Sequence, residues 1–389
     1  MTKQNYDVVI LGGGIHGAGV AQAAAAAGHS VLLLEKSEPA AGTSSRSSKL
    51  IHGGLRYLET LQFSLVRESL RERQLLLKNA SSLVKLIPFY IPIYKQTQRR
   101  PWQIRIGLSL YSLLGGFGSD MRFRTLVKTE WDQFRGLKTD GLQKIFQYYD
   151  AQTDDVALTR AVLKSAGSLG AETKYPARFL AAERTEIGYR VHFQFDNHDQ
   201  NCVASVLVNS AGPWINNVHE QIRPAPPRIE VDLVQGAHVL FDQRICDGVL
   251  YTEAPRDGRA VFVMPWQEKV LVGTTETVFN GSPDEVSALP TEAAYLEETL
   301  HEYFPEYTGN VVGSFAGLRV LPKSDGKPSA RSRETILVAD DPATPHYVAI
   351  YGGKLTGYRA TAEKVMNLVQ RSLPTRKPIA TTDRIELIG

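Results

Sequence analysis

Cysteine is scarce in this sequence: 389 residues contain only Cys202 and Cys246. Neither has C-x-x-C or metal-ligand spacing, so no disulfide framework and no metal site are expected, and a reducing compartment is. Long apolar runs are also missing. None reaches the roughly 18 residues that a membrane-spanning helix needs. No charge of one sign predominates, since 44 Lys and Arg stand against 41 Asp and Glu for a net charge of +3. That balance gives no electrostatic footprint for nucleic acid, which is not expected as a partner. There is no internal repeat and no low-complexity tail. The first strand opens so soon after Met1 that a signal peptide is not expected. What remains, 43% hydrophobic and 22% charged residues, is the make-up of an ordinary globular chain, long enough for two domains or one large α/β unit. The expected location is cytoplasmic, with peripheral contact at the inner face of the cell membrane as an option.

What is present begins with residues 6–36, YDVVILGGGIHGAGVAQAAAAAGHSVLLLEK. Residues 8–11 are apolar and β-branched, which suits a strand buried on both faces of a parallel sheet. Gly12, Gly14 and Gly17 then give G-x-G-x-x-G spacing, for a tight turn, backbone approach to a pyrophosphate and close helix–strand packing. The Ala-rich residues 18–27 form a helix whose N-terminus can face a diphosphate, and Gly28 stops it. A second strand over 30–34 ends at Glu35, roughly 20 residues past the glycines, where a carboxylate accepts hydrogen bonds from an adenosine ribose. The whole pattern predicts a dinucleotide site.

Residues 39–49, PAAGTSSRSSK, read either as a flexible loop or as a wrap of hydroxyls and amides around the far side of a cofactor. The latter is preferred because LIHGGLRYLE follows at 50–59, with a histidine, two glycines, an arginine and a tyrosine together. A charged amphipathic helix is expected over 63–78. Residues 86–94 contain Pro88 and Pro92 and read as an edge strand or extended segment. The apolar segment 104–117 is a core helix or, beside Arg99, Arg100 and Arg105, a monotopic membrane contact. A helix over 156–170 and paired strands over 171–195 precede a strand over 202–209. It ends in SAGPW, a close-approach turn or a simple strand end. After the proline cluster at 224–227 the chain is β-rich to 277, helical over 291–304 and extended over 311–320, where Arg319 sits. Short strands at 335–337 and 347–350 lead to a Gly-opened helix within 352–369. The expected fold class is α/β, α+β overall. Segments 1–80, 143–220 and 332–389 form a Rossmann-type domain, and 81–142 with 221–331 form a β-rich substrate domain.

HGGLRYLE, GPW, GTTE, GLR and GGKLTGYR occur in order along nearly the whole chain. With these motifs the sequence resembles the FAD-dependent glycerol-3-phosphate dehydrogenases, amino-acid-oxidase-like flavoproteins with a glutathione-reductase-like FAD domain. Residues 43–59 are the most specific stretch. Two features depart from the pattern: the C-terminal helical domain usual in bacterial members is expected to be lacking, and Arg46 stands in a loop where small residues are usual. The resemblance implies FAD, hydride removal from glycerol 3-phosphate, dihydroxyacetone phosphate as product, and electrons passed to a quinone. It implies cofactor contacts at Gly12, Gly14, Ile15, His16 and Gly17, and at Glu35 and Lys36. Further contacts are Thr43, Ser44, Ser45, Ser48, Lys49 and Leu50, then His52, Gly53 and Gly54. Ala211, Gly212 and Trp214, then Gly317 and Arg319, then Gly352, Gly353, Lys354, Leu355 and Thr356 complete the set. The phosphate ester is expected at Arg56, Tyr57, His238, Arg319 and Lys354.

This chemistry needs cations for a phosphate and a base for the hydroxyl proton. His52 and His238 are the candidate bases, His52 first; the structural alternative is a histidine that only ties its turn. Arg319 and Lys354 join His52 as expected catalytic groups. A helix opening at Lys354, Leu355 and Thr356 is expected to turn its amides toward the flavin N1–C2=O edge. Three readings compete: an FAD amine or amino-acid oxidase, a glycerol-3-phosphate oxidase using oxygen, and a flavin-holding protein without turnover.

Overall fold

A computed structural model describes residues 5–116, 118–323, 331 and 334–389. Phe117, the end of the expected apolar segment, lies outside the described residues. Two sheets organise the rest. In the first, β1 (Asn5–Leu11) runs into α1 (Ile15–Ala26) and β2 (Val31–Leu34). β1 pairs in parallel with β2 on one side and with β10 (His198–Asn209) on the other. β7 (Glu172–Lys174) extends the β2 side, and β19 (Tyr347–Tyr351) the C-terminal half of β10, both in parallel. An antiparallel ribbon, β8 (Ala177–Thr185) and β9 (Gly188–Phe195), joins the N-terminal half of β10. β7 is the edge on one side, and β11 (Ile222–Arg223) and β18 (Ile336–Ala339) are the edges on the other. Every residue of β2 and all but the first of β1 are buried, as strands covered on both faces must be.

α1 packs between α4 (Asp155–Ser168) and α7 (Tyr358–Val369). Its alanines are the reason it fits there: all of its residues except His16 are buried, and larger side chains would hold the three helices and the sheet apart. The C-terminal ends of β1, β10 and β19 then open side by side at the point where the chain leaves β1 in both directions. This is where ligands bind in open α/β sheets.

The second sheet has ten strands. One half holds β3 (Leu50–Ile51), β4 (Val84–Tyr94), β5 (Arg124–Thr125), β6 (Leu142–Thr153) and β13 (Val249–Glu253). The other holds β12 (Val231–Phe241), β14 (Ala260–Trp266), β15 (Lys269–Gly273), β16 (Thr277–Phe279) and β17 (Val311–Pro322). β3 and β6 belong to this sheet although they fall in the segments 1–80 and 143–220 expected around the dinucleotide. α2 (Phe63–Asn79) and α3 (Pro101–Leu114) cover one end, and α6 (Pro290–Tyr303) the other.

Two expectations are corrected. The proline-containing segment is an interior strand: β4 pairs with β6 along its length and with β13 at Phe89 and Tyr90. The ladder with β13 is confined to Phe89 and Tyr90, so Pro88 and Pro92 lie outside its paired positions. The last helix begins at Tyr358, not Lys354. Gly352 and Gly353 hold φ of 71° and 99°, and the Gly357 N–H closes a turn on the Lys354 carbonyl, so residues 354–357 form a loop before the helix. The apolar segment is the helix α3, with Ile104, Leu108 and Tyr111 buried and Trp102, Ile106 and Leu113 exposed. No helix among the described residues is long and apolar enough to cross a membrane.

Candidate active site

The glycine turn after β1 is fixed by contact. Gly12 has φ 105°, and a Cβ there would lie 2.7 Å from the Ser210 carbonyl oxygen; one at Gly17 would lie 1.9 Å from that of Gly12. α1 starts after Gly14 with no side-chain cap and no acidic residue in its first turn. The Ile15 N–H donates to Ser44 Oγ at 2.9 Å. Glu35 accepts from the Gly13 N–H at 2.6 Å and from the Ser37 N–H at 2.9 Å. Beside it, the Lys36 ammonium lies 3.8 Å from the centre of a Trp214 ring and 2.6 Å from Asp284. Trp214 Nε1–H also donates to Asp284, and Ala211 and Gly212 lead into this tryptophan from β10. His16 Nδ1 is buried without a hydrogen-bond partner among the described residues. Its Nε2 would be 2.1 Å from a Cβ at Gly353. The cradle suits the flavin dinucleotide that the resemblance implies. A helix N-terminus whose Gly14 supplies no side-chain cap suits an anion, the Glu35 carboxylate at the end of β2 suits a ribose, and a buried imidazole nitrogen is left for a ligand.

The serine-rich loop is a seam between the sheets. Thr43 Oγ1 donates to the Leu318 carbonyl at 2.8 Å, and Ser48 Oγ meets His238 Nε2 at 2.8 Å. Ser45 Oγ turns back on Gly42, and Gly317 leaves room for the Arg46 backbone. The Lys49 ammonium points inward, 2.6 Å from both Asp155 and the Ser45 carbonyl. It therefore anchors the loop. Leu50 is buried in β3, leaving only its backbone available.

Two imidazoles lie among cations. The His52 N–H donates to Thr356 Oγ1 at 3.2 Å, and its ring meets Phe262 edge-on. Burial pushes the His52 imidazole down to about 3, helped by Lys354 and then Arg56. Lys354 Nζ sits 3.8 Å above the Tyr57 ring. His52, Arg56, Tyr57 and Lys354 are thus brought together from two distant stretches. His238, on β12, stacks on Phe315 at 4.9 Å. Burial, then Arg319 and Lys49, push it down to about 3. Arg319 donates to the Thr275 carbonyl at 3.2 Å and to Thr274 Oγ1 at 3.0 Å. Leu355 stands half-buried between Lys354 and the buried Thr356.

Sequence reasoning did not single out Thr274, Thr275, Asp155 or Tyr111. GTTE signalled the first two, since Thr275 also accepts from Ala237 and donates to the buried Glu292 at 2.7 Å. Asp155 stood in plain view at the start of α4. Tyr111 looked like one more apolar residue of its helix.

The FAD-dependent oxidoreductase family matches residues 7–362. A D-erythritol 1-phosphate dehydrogenase of Brucella abortus is 34% identical over 378 residues, covering 95% of this chain and 75% of that protein. A glycerol-3-phosphate dehydrogenase of Pseudomonas aeruginosa is 35% identical over 375 residues, covering 94% and 72%. The solved glycerol-3-phosphate dehydrogenase of Bacillus halodurans, complexed with FAD, superposes with a TM-score of 0.78 at 25% identity, over 100% of this chain and 68% of that one.

Proposed function

The chain belongs to the FAD-dependent oxidoreductase family, and on that footing we propose that it oxidises sn-glycerol 3-phosphate to dihydroxyacetone phosphate. The observation that carries this reading is the gathering of Arg56 and Lys354 around His52, with Arg319 beside His238. A dianionic phosphate needs several cations, whereas an amino-acid carboxylate needs one arginine. Bound FAD supplies the hydride acceptor. The protein's part is to hold the phosphate on Arg56, Arg319 and Lys354, to orient the central hydroxyl, and to take its proton on His52 as the carbinol C–H bond breaks. Two of the causes that depress His52 are the charges of Lys354 and Arg56. A bound dianion offsets both, so substrate makes its own base stronger.

A tetritol phosphate is the second reading, favoured by the 34% identity to the Brucella erythritol 1-phosphate enzyme. It places the same phosphate and secondary alcohol in the same site. The acceptor in this reading is a quinone. Exposed Leu61, Phe63, Trp102, Ile106 and Leu113, with Arg100 and Arg105 nearby in sequence, support peripheral contact with the cytoplasmic face of a membrane. Co-flotation with anionic vesicles, lost in Trp102→Ser/Ile106→Ser, is the outcome expected; flotation unchanged by the substitutions ends the membrane reading.

The deciding experiment is anaerobic. The purified yellow protein is mixed in turn with glycerol 3-phosphate, D-erythritol 1-phosphate and an amino acid. Bleaching of the flavin by a polyol phosphate is expected, and bleaching by the amino acid alone would replace this reading with an amino-acid oxidase. Readmitted oxygen, then a quinone, identifies the acceptor.

A further inference from the structure

The turn that carries His52 stands on a buried charged network with no part in the reaction as read above. The Gly53 N–H donates to the Tyr111 hydroxyl oxygen at 2.8 Å. That hydroxyl donates to Asp150 Oδ2 at 2.7 Å, and Asp150 Oδ1 accepts from Arg73 at 2.7 Å. Arg73 also donates to the Tyr149 carbonyl at 2.8 Å and to the Asp120 carboxylate. Arg73, Asp150 and Tyr111 are 0%, 1% and 2% exposed. They come from α2, β6 and α3, so three elements meet at one backbone amide.

Stability alone gives little reason for such a network. Burying an ion pair removes two charges from water, and well-packed apolar side chains of the same volume usually hold a core as firmly. Its geometry suits a different task. A hydroxyl that donates to a carboxylate is polarised, which makes its oxygen a stronger acceptor for the next N–H. Gly53 is pressed onto it: a Cβ there would lie 2.5 Å from the Tyr111 oxygen and 2.6 Å from Leu70 Cδ2. The amide on the other side of His52 is tied as well, since the His52 N–H donates to Thr356 Oγ1. With the peptide on each side of its Cα held, His52 has no free backbone torsion, and its imidazole swings only about its side-chain bonds. Just past Gly53, Gly54 at φ 78° turns the chain into the segment bearing Arg56 and Tyr57.

We propose that Tyr111, Asp150 and Arg73 are positioning residues that fix the His52–Gly53 peptide, and with it the aim of the His52 imidazole at the reacting hydroxyl. This rests on the role given to His52 above. None of the three touches substrate; each acts through the backbone of the turn.

The test is a double-mutant cycle in the FAD-loaded protein. Tyr111→Phe removes one oxygen and leaves Gly53 and Asp150 each short of a partner. Misaiming a reacting group by about 1 Å lowers a rate on the order of 100-fold, so flavin reduction at saturating polyol phosphate should slow about 10- to 100-fold. KM and FAD content should hardly change, and hydrogen exchange at the Gly53 amide should accelerate. Combined with His52→Asn, Tyr111→Phe should add almost nothing, because its effect runs through the imidazole. Asp150→Asn keeps the volume and an acceptor oxygen without the charge and should give an intermediate loss; it carries the cycle if Tyr111→Phe does not fold. Unchanged reduction in both variants, or the same fold-loss with and without His52, would overturn the proposal. If glycerol 3-phosphate fails to bleach the unaltered protein, the functional reading fails separately, and the cycle is read with the substrate that does bleach it.

Discussion

His52 and His238 show how much a residue's neighbours decide. Exposed, each would titrate near 6.5; in place, each is pushed down to about 3, first by burial and then by adjacent cations. Burial and the neighbouring cations thus favour the neutral imidazole at both positions in the unliganded protein. That has a kinetic consequence. kcat/KM reports ionisations of free protein and free substrate, and a phosphate monoester loses its second proton near about 6. Below that pH, log kcat/KM for glycerol 3-phosphate should fall with a slope of about one, set by the substrate alone. A slope approaching two would mean that His52 titrates near its ordinary value and that the cations around it are too distant to matter. Glu35 is likewise fixed by its neighbours, since its carboxylate accepts from the Gly13 and Ser37 amides.

Among the elements, the turn between β19 and α7 is tightly constrained. Gly353 combines φ 99° with the close approach of His16, whereas Gly357 has nothing within 4 Å of a would-be Cβ. Left-handed backbone costs an L residue about 1–2 kcal/mol, and at Gly353 the displaced imidazole adds to that. Gly353→Ala should lower the melting temperature and the flavin retained through gel filtration, while Gly357→Ala should leave both near the original. Equal losses from the two would show that the turn is not gripped by His16. This turn also marks the limit of what was legible among the elements. β1, α1 and β2 could be read because apolar periodicity, Ala content and glycine spacing agree there. The start of α7 could not, since KLTG has ordinary helix formers at Lys354 and Leu355, whereas Thr356 is held by a tertiary bond from the His52 N–H. The two prolines pointed to an edge strand for β4 because its second neighbour, β13, pairs only at Phe89 and Tyr90 and lies some 160 residues away in sequence.

Across the whole molecule, the residues that gather between the sheets were individually visible, as histidines, arginines and glycines in unusual company, but their partners were not. Nothing local in the sequence ties Lys49 to Asp155, Arg319 to Thr274, or Gly53 to Tyr111. Each of these pairs joins residues far apart in sequence, so only the tertiary fold brings them together. The same assembly makes the protein sensitive to acid. His16 is pushed down to about 4 and His52 and His238 to about 3, with burial the first cause in each case. In the unfolded chain these histidines titrate near 6.5, so between that pH and their folded values the unfolded state binds protons that the folded state does not. Stability is complete above the unfolded value and drains away as pH falls, by up to about 1.4 kcal/mol per pH unit for each histidine, or about 4 for the three together. The urea midpoint of the flavin-free protein should therefore drop steeply between pH 6.5 and 5, before most carboxylates begin to titrate. His16→Asn should make that slope shallower without removing it. A midpoint that stays flat to pH 5 would mean that the imidazoles are hydrated in the flavin-free state, and that the cradle closes around them only when the cofactor is bound.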